Sequence, residues 1–244
     1  MALFSVTRPE QAWYGESIGI LILDASYPCV PGNVGNASTF PFPVRYEKVE
    51  GASIDRLLNR QDPDLATPFI EAAVRLYKSG VHAITGACGF MALFQQEVAQ
   101  SMDIPVFLSS LLQIPFIYQI TGKKIGIITA NASCLQLKHF TSTGISDKIP
   151  IVVAGMEDQE EFRDAILKEK GTLDSLKIQD ELVEVAVSLL QQNPDIGSIL
   201  LECSDLPPYA HAVQTAIGLP VFDFFTMINY VHTALVRKPF HGFM

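Results

Sequence analysis

Two cysteines occupy equivalent places in an internally repeated chain. Cys88 lies in Thr85-Gly86-Ala87-Cys88-Gly89-Phe90 and Cys203 in Leu200-Leu201-Glu202-Cys203-Ser204-Asp205. The offset of 115 residues (203 − 88) also aligns Ile84 with Ile199 and Ile104-Pro105-Val106-Phe107 with Leu219-Pro220-Val221-Phe222. An offset of 107 (125 − 18) brings Ile18-Gly19-Ile20-Leu21 onto Ile125-Gly126-Ile127-Ile128, and Ala25-Ser26 onto Ala132-Ser133. Two facing copies would put one thiol on each side of a ligand, with sulfurs roughly 7 Å apart if each approaches to about 3–3.5 Å. That is too far for a disulfide and suits proton removal on one face with delivery on the other. Taken singly, each cysteine also reads as a small buried hydrophobe; their equivalence in a repeat weighs against that. Cys29 and Cys134 lack such support and read as structural.

The elements that must position this pair are short β-branched runs alternating with helical patterns, which implies an α/β fold of mainly parallel strands. Strands are expected at Ser17–Asp24, His82–Gly86, Val106–Leu108, Lys124–Thr129, Ile151–Ala154, Ser198–Glu202 and Val221–Phe222. Helical spacing covers Pro68–Ser79 and Gln179–Gln192, and each cysteine precedes a further helical pattern, Phe90–Ser101 or Pro208–Ile217. A helix N-terminus favours anions, so both thiols are expected to fall below about 8.5 and supply thiolate near neutrality. The backbone amides of Gly89, Phe90, Ser204 and Asp205 would then face a carboxylate or a developing enolate. Between Tyr27 and Tyr46, four prolines and two glycines predict an irregular binding loop leaving the first strand. The repeat divides the chain into a first lobe of 1–115 plus 218–244 and a second of 116–217, related by a pseudo-two-fold with the site in the cleft between them.

Composition narrows the function classes. With 244 residues and 48% hydrophobic content, the chain can bury one large or two modest cores. A net charge of −9 without a basic cluster excludes nucleic acid as a partner. The apolar stretches Val106–Ile120 and Val221–Val236 are broken by polar residues and proline, so no membrane span is expected. No secretory signal is read at the start, which makes the cytoplasm the expected location. Metal-ligand spacings and phosphate-loop, dinucleotide and pyridoxal-lysine motifs are missing, so no metal and no cofactor is expected. A small-molecule substrate and a homodimer are the partner expectations. Trp13 and the aromatics of the final segment read as core.

The stretch Leu201-Glu202-Cys203-Ser204-Asp205-Leu206-Pro207 resembles the second cysteine motif of the cofactor-independent aspartate/glutamate racemase superfamily, commonly Gly-Cys-Thr-Glu-Leu-Pro. Gly19-Ile20-Leu21 through Asp24 is similar to that family's first strand and its following acidic residue. The resemblance spans nearly the whole chain and implies Cys88 and Cys203 as an acid/base pair, Ser204 as a substrate anchor, and Asp24 and Asp205 as groups that orient the thiols. Ser26 and Ser133, at equivalent strand ends, join the expected substrate-binding set with Gly89 and Phe90. The first motif departs from the family, with Cys88-Gly89-Phe90 standing where Cys-Asn-Thr is usual, and so favours a bulkier ligand such as a hydantoin over aspartate or glutamate. The expected activity is racemisation or epimerisation by a two-cysteine mechanism. The alternatives are a maleate-type isomerase, a decarboxylase, or a protein that binds a small carboxylate without turnover.

Overall fold

The computed structural model describes residues 2–6, 8 and 11–244. Among these residues the strands are β1 (Ile18–Ile22), β2 (Val44–Lys48), β3 (Ala83–Gly86), β4 (Val106–Phe107), β5 (Lys124–Thr129), β6 (Ile151–Gly155), β7 (Ile196–Leu201) and β8 (Val221–Phe222). The α-helices are α1 (Ala66–Lys78), α2 (Gln95–Gln100), α3 (Ile114–Thr121), α4 (Leu137–Ser142), α5 (Glu160–Phe162), α6 (Ser175–Gln192), α7 (Ala210–Ile217) and α8 (Phe224–Leu235). All strand pairs are parallel and form two four-stranded sheets, ordered β2-β1-β3-β4 and β6-β5-β7-β8. The expected α/β architecture of two similar lobes is therefore present, and its registers repeat. Ile18 sits opposite Val44 and Ala83, as Ile125 sits opposite Ile151 and Ser198; Ile84 sits opposite Val106, as Ile199 sits opposite Val221.

Local chemistry explains the elements and the departures from expectation. Central strands β1 and β3 are almost wholly buried, so their sequences run apolar without alternation. Edge strand β2 is only half-buried and carries Arg45, Glu47 and Lys48 behind Pro41 and Pro43. The expectation that Tyr27–Tyr46 lacks regular structure thus fails at Val44–Tyr46. Helix α1 buries Phe69, Ala72, Ala73 and Leu76 and starts two residues before Pro68, which is tolerated because first-turn amides need no helical partner. Helix α6 is capped by Asp174, whose side chain accepts the Leu176 and Lys177 amides. The helix expected over Phe90–Ser101 is instead a 3₁₀ segment, Gly89–Phe94, followed by α2.

Helix α8 follows β8, the edge of the second sheet, yet its Phe224, Met227 and Ile228 pack with Ile18, Ile20, Ala83 and Phe107 of the first. Asp223 begins this crossing by accepting the Thr226 amide at 2.8 Å. Trp13 is not core: it is 44% exposed, with the Arg45 guanidinium 5.2 Å from its ring centre. Phe240 and Phe243 are exposed as well. No helix among the described residues is long and apolar enough to cross a membrane.

The repeat also ties the lobes together. After each of two single-turn π-helical segments, Asp55–Asn59 and Arg163–Leu167, stands a non-glycine residue with positive φ, Gln61 (φ 48°) and Glu169 (φ 52°). Gln61 Nε2 donates to the Cys134 carbonyl at 2.7 Å, and Glu169 Oε2 accepts the Ser26 amide at 2.8 Å. Both ends of this reciprocal clasp share one 108-residue offset (169 − 61 and 134 − 26). Left-handed backbone at a side chain of this size is costly and persists only where surrounding contacts over-determine it. The prediction for the fold concerns α8: Phe224 is fully buried, so Phe224→Ala should lower the unfolding free energy by about 3–5 kcal/mol in chemical denaturation.

Candidate active site

The site grows from two equivalent strand ends. The Ala87 amide donates to the Leu21 carbonyl at 2.9 Å, and the Glu202 amide to the Ile128 carbonyl at 2.8 Å, so the residue before each cysteine extends the ladder by one step. Cys88 is extended (φ −165°) and opens the 3₁₀ segment, while Cys203 opens the turn into α7. The two turns touch directly, Ser204 Oγ donating to the Ala87 carbonyl at 2.6 Å, and the segment after β4 joins them, Ser110 Oγ donating to the Glu202 carbonyl at 3.1 Å. Gly89 is needed at this junction, because a Cβ there would overlap both the carboxyl and the backbone carbonyl of Glu202. The loop after β1 covers the junction, with the Val34 amide donating to the Ser204 carbonyl at 3.3 Å and Gly32 (φ 100°) set against Pro208. A cavity of about 90 Å³ remains beside it, lined by Tyr27, Cys29, Asn33 and Ala87 among others. Neither Cys88 nor Cys203 lines it, and neither lines a larger cavity of about 970 Å³ between the terminal segments and α8.

Electrostatics here is governed by burial. Cys88 is 8% and Cys203 4% exposed, and both thiols are pushed well up by desolvation. This reverses the expectation of a readily formed thiolate. The Phe90 and Met91 amides do favour the Cys88 anion, but desolvation and the neighbouring Glu202 and Asp205 outweigh them. Cys203 Sγ donates to Asp205 Oδ2 at 3.3 Å, and Asn33 Nδ2 donates to Asp205 Oδ1 at 2.6 Å. Burial raises the Asp205 carboxyl even so, against the stabilising contacts of Asn33, Cys203 and Tyr27. Glu202 is fully buried; Thr129 Oγ1 donates to its Oε2 at 2.8 Å, its Oε1 has no hydrogen-bond partner, and burial pushes it up to about 7. The Tyr27 phenol is raised by burial and by the nearby Asp205, Cys203 and Cys88.

Of the residues singled out in the sequence, the fold gathers Cys88, Gly89, Cys203, Ser204 and Asp205. Phe90 turns its ring into the core, 1% exposed and edge-on to His139 at 5.1 Å. Asp24 lies at the surface, paired with Lys48 Nζ at 3.3 Å and accepting the Gly51 amide. Ser26 is exposed and meets Glu169 through its amide; Ser133 is exposed and bonded to Asn131. Sequence reasoning missed Tyr27, Asn33 and Glu202. Glu202 had a visible signal, a carboxylate ending a buried strand where the resembled motif has glycine. Asn33 and Tyr27 had none beyond their place in the covering loop.

The acids raised by burial set a pH prediction. Glu202, raised from 4.5 to about 7, and Asp223, raised from 3.8 to about 6, hold protons in the folded chain that the unfolded chain has released. Stability is therefore highest below the unfolded values and declines as pH rises through the folded ones. Denaturant unfolding at pH 4.5 and 7.5 should show this decline, and Glu202→Gln should remove up to roughly 3 kcal/mol of it.

No family model matches the chain. It is similar to two curated relatives, a dimethylsulfoniopropionate lyase of Durusdinium sp. clade D and dimethylsulfoniopropionate lyase 3 of Emiliania huxleyi. The first is 33% identical over 93% of this chain and 77% of its own length; the second is 32% identical over 93% and 61%. Among solved structures, a glycine-to-cysteine mutant of arylmalonate decarboxylase aligns with TM-score 0.64 at 16% identity, covering 91% of this chain and 94% of that one. Allantoin racemase from Pseudomonas fluorescens aligns with TM-score 0.63 at 14% identity, covering 90% and 91%. The racemase-superfamily fold implied by the sequence resemblance is thus shown. The racemase or isomerase activity is not, because the curated relatives are lyases. The resemblance carried the architecture, and one architecture hosts several reactions. By its identity to the Durusdinium protein over most of both lengths, the chain belongs to the dimethylsulfoniopropionate lyase family.

Proposed function

We propose that the chain is a lyase that cleaves dimethylsulfoniopropionate by β-elimination, with Cys203 as the base and Asp205 as its proton acceptor. The observation that carries the assignment of roles is the Cys203 Sγ–Asp205 Oδ2 hydrogen bond of 3.3 Å, a thiol aimed at a buried carboxylate. The substrate is taken from the names of the relatives. In such a molecule the carboxylate and the sulfonium flank two carbons. Asp205 takes the Cys203 proton, and the thiolate takes the proton on the carbon beside the carboxylate. That electron pair becomes the carbon–carbon double bond, and the carbon–sulfur bond breaks with its pair leaving on sulfur. The products are dimethyl sulfide, acrylate and one proton, which Asp205 passes to water. No electron changes hands with a partner, so the step needs no redox cofactor.

Three features of the site support this reading. Tyr27 gives the cavity wall an aromatic ring, and a sulfonium cation is attracted to such a face. In their ionised forms, buried Asp205 and Glu202 favour a sulfonium cation over an anionic group in the same place. Cys203 and Asp205 are both buried beneath the covering loop, where thiolate formed by transfer to the carboxylate is poorly hydrated and reactive. We assign substrate contact to Cys88, Gly89 and Ser204 within this cleft, with the first lobe and α8 on one side and the second lobe on the other.

Headspace gas chromatography of dimethyl sulfide tests the proposal. The wild-type chain should release it from dimethylsulfoniopropionate. Cys203→Ser should lose at least about 10²-fold in kcat and Asp205→Asn a comparable factor, the usual contribution of a positioned base. Absence of release by the wild type, or an undiminished rate in Cys203→Ser, would overturn it.

A further inference from the structure

The two thiols have equivalent backbone positions but unequal carboxylate neighbours. Cys203 points its proton at Asp205 Oδ2, 3.3 Å away. Cys88 has Glu202 as its foremost charged neighbour, held in place through Gly89, whose Cα leaves no room for a Cβ against the Glu202 carboxyl. Glu202 Oε2 is anchored by Thr129 Oγ1 at 2.8 Å, and Oε1, fully buried, has no hydrogen-bond partner. Burial and nearby carboxyls raise both thiols, Cys203 chiefly through Asp205 and Cys88 chiefly through Glu202, but only Cys203 has a carboxylate oxygen within hydrogen-bonding reach to receive its proton.

We propose that Glu202 is a positioning residue that keeps Cys88 in its thiol form, so that Cys203 alone serves as base. The inference rests on the elimination reading above and adds to it what makes the site one-way. Two interchangeable bases suit inversion of a carbon acid, whereas elimination needs a single base and no proton delivered to the opposite face. Glu202 supplies that asymmetry at a position where the resembled motif carries glycine, with no side chain. The other groups facing Cys88 are Asp205 and Cys203 from the turn after β7 and Tyr27 from the loop after β1. His139, packed on Phe90 from α4, does not offset them, because burial lowers it to about 4 and leaves it neutral.

The test titrates each cysteine by its alkylation rate with iodoacetamide across pH 6–11 (about half-unit steps), resolved by peptide mass spectrometry. Glu202→Gln keeps the shape of the side chain and removes its charge. The Cys88 profile should move down by about one pH unit, a roughly tenfold gain in thiolate at fixed pH, while the Cys203 profile moves less. Glu202→Asp, which retains the charge, should stay near wild type. Thr129→Val, which removes the bond that favours the charged carboxylate, should shift Cys88 in the same direction as Glu202→Gln and decides the matter if that variant does not fold. An unmoved Cys88 profile, or a larger shift at Cys203, would overturn the inference. The titration needs no substrate. If the wild type releases no dimethyl sulfide, the elimination reading fails while the thiol profiles still report on Glu202.

Discussion

Direct contact between the turns after β3 and β7 is the constraint on which the site depends. Ser204 bonded to the Ala87 carbonyl, and Gly89 pressed against Glu202, bring two thiols and two carboxyls into one water-poor place. Desolvation then dominates every ionisable group there, raising Cys88, Cys203, Glu202 and Asp205 together. Under that condition a free thiolate is expensive, and the useful unit is a thiol with a carboxylate that receives its proton. Cys203 has such a carboxylate within reach, Asp205 Oδ2 at 3.3 Å, and the proposed elimination uses it.

The duplication supplies a frame that is more symmetric than its chemistry. Strand registers, the ladder steps at Ala87 and Glu202, and the clasps through Gln61 and Glu169 all repeat between lobes. The side chains lining the cleft do not. Asp205 and Glu202 both come from the second turn, while the covering loop with Tyr27 and Asn33 comes from the first lobe. A symmetric scaffold of this kind places two groups on opposite sides of a small molecule.

Much of the fold was legible because its central strands are buried on both faces and read as apolar runs, while α1 and α6 bury one regular stripe. Strand β2 escaped notice because an edge strand keeps polar residues and here follows two prolines. In the site, a repeat offset was enough to single out Cys88 and Cys203, and the resembled motif around Cys203 carried Ser204 and Asp205 with it. The offset also nominated Ser26 and Ser133, the family resemblance Asp24, and the cysteine motif Phe90, but these side chains go to solvent, to Asn131, to Lys48 or to the core.

By itself the sequence determined the α/β class, the duplicated lobes and a thiol at the end of one buried strand in each, since all three follow from hydrophobic runs and their spacing. Only the tertiary structure decided the state of those thiols. A pKa depends on which charges and how much water lie within a few ångströms, and these come from segments far apart in the chain: Asn33 meets Asp205, Gly89 meets Glu202, and Thr129 meets Glu202. Spacing records which residues recur, whereas burial and contact decide what each recurrence does.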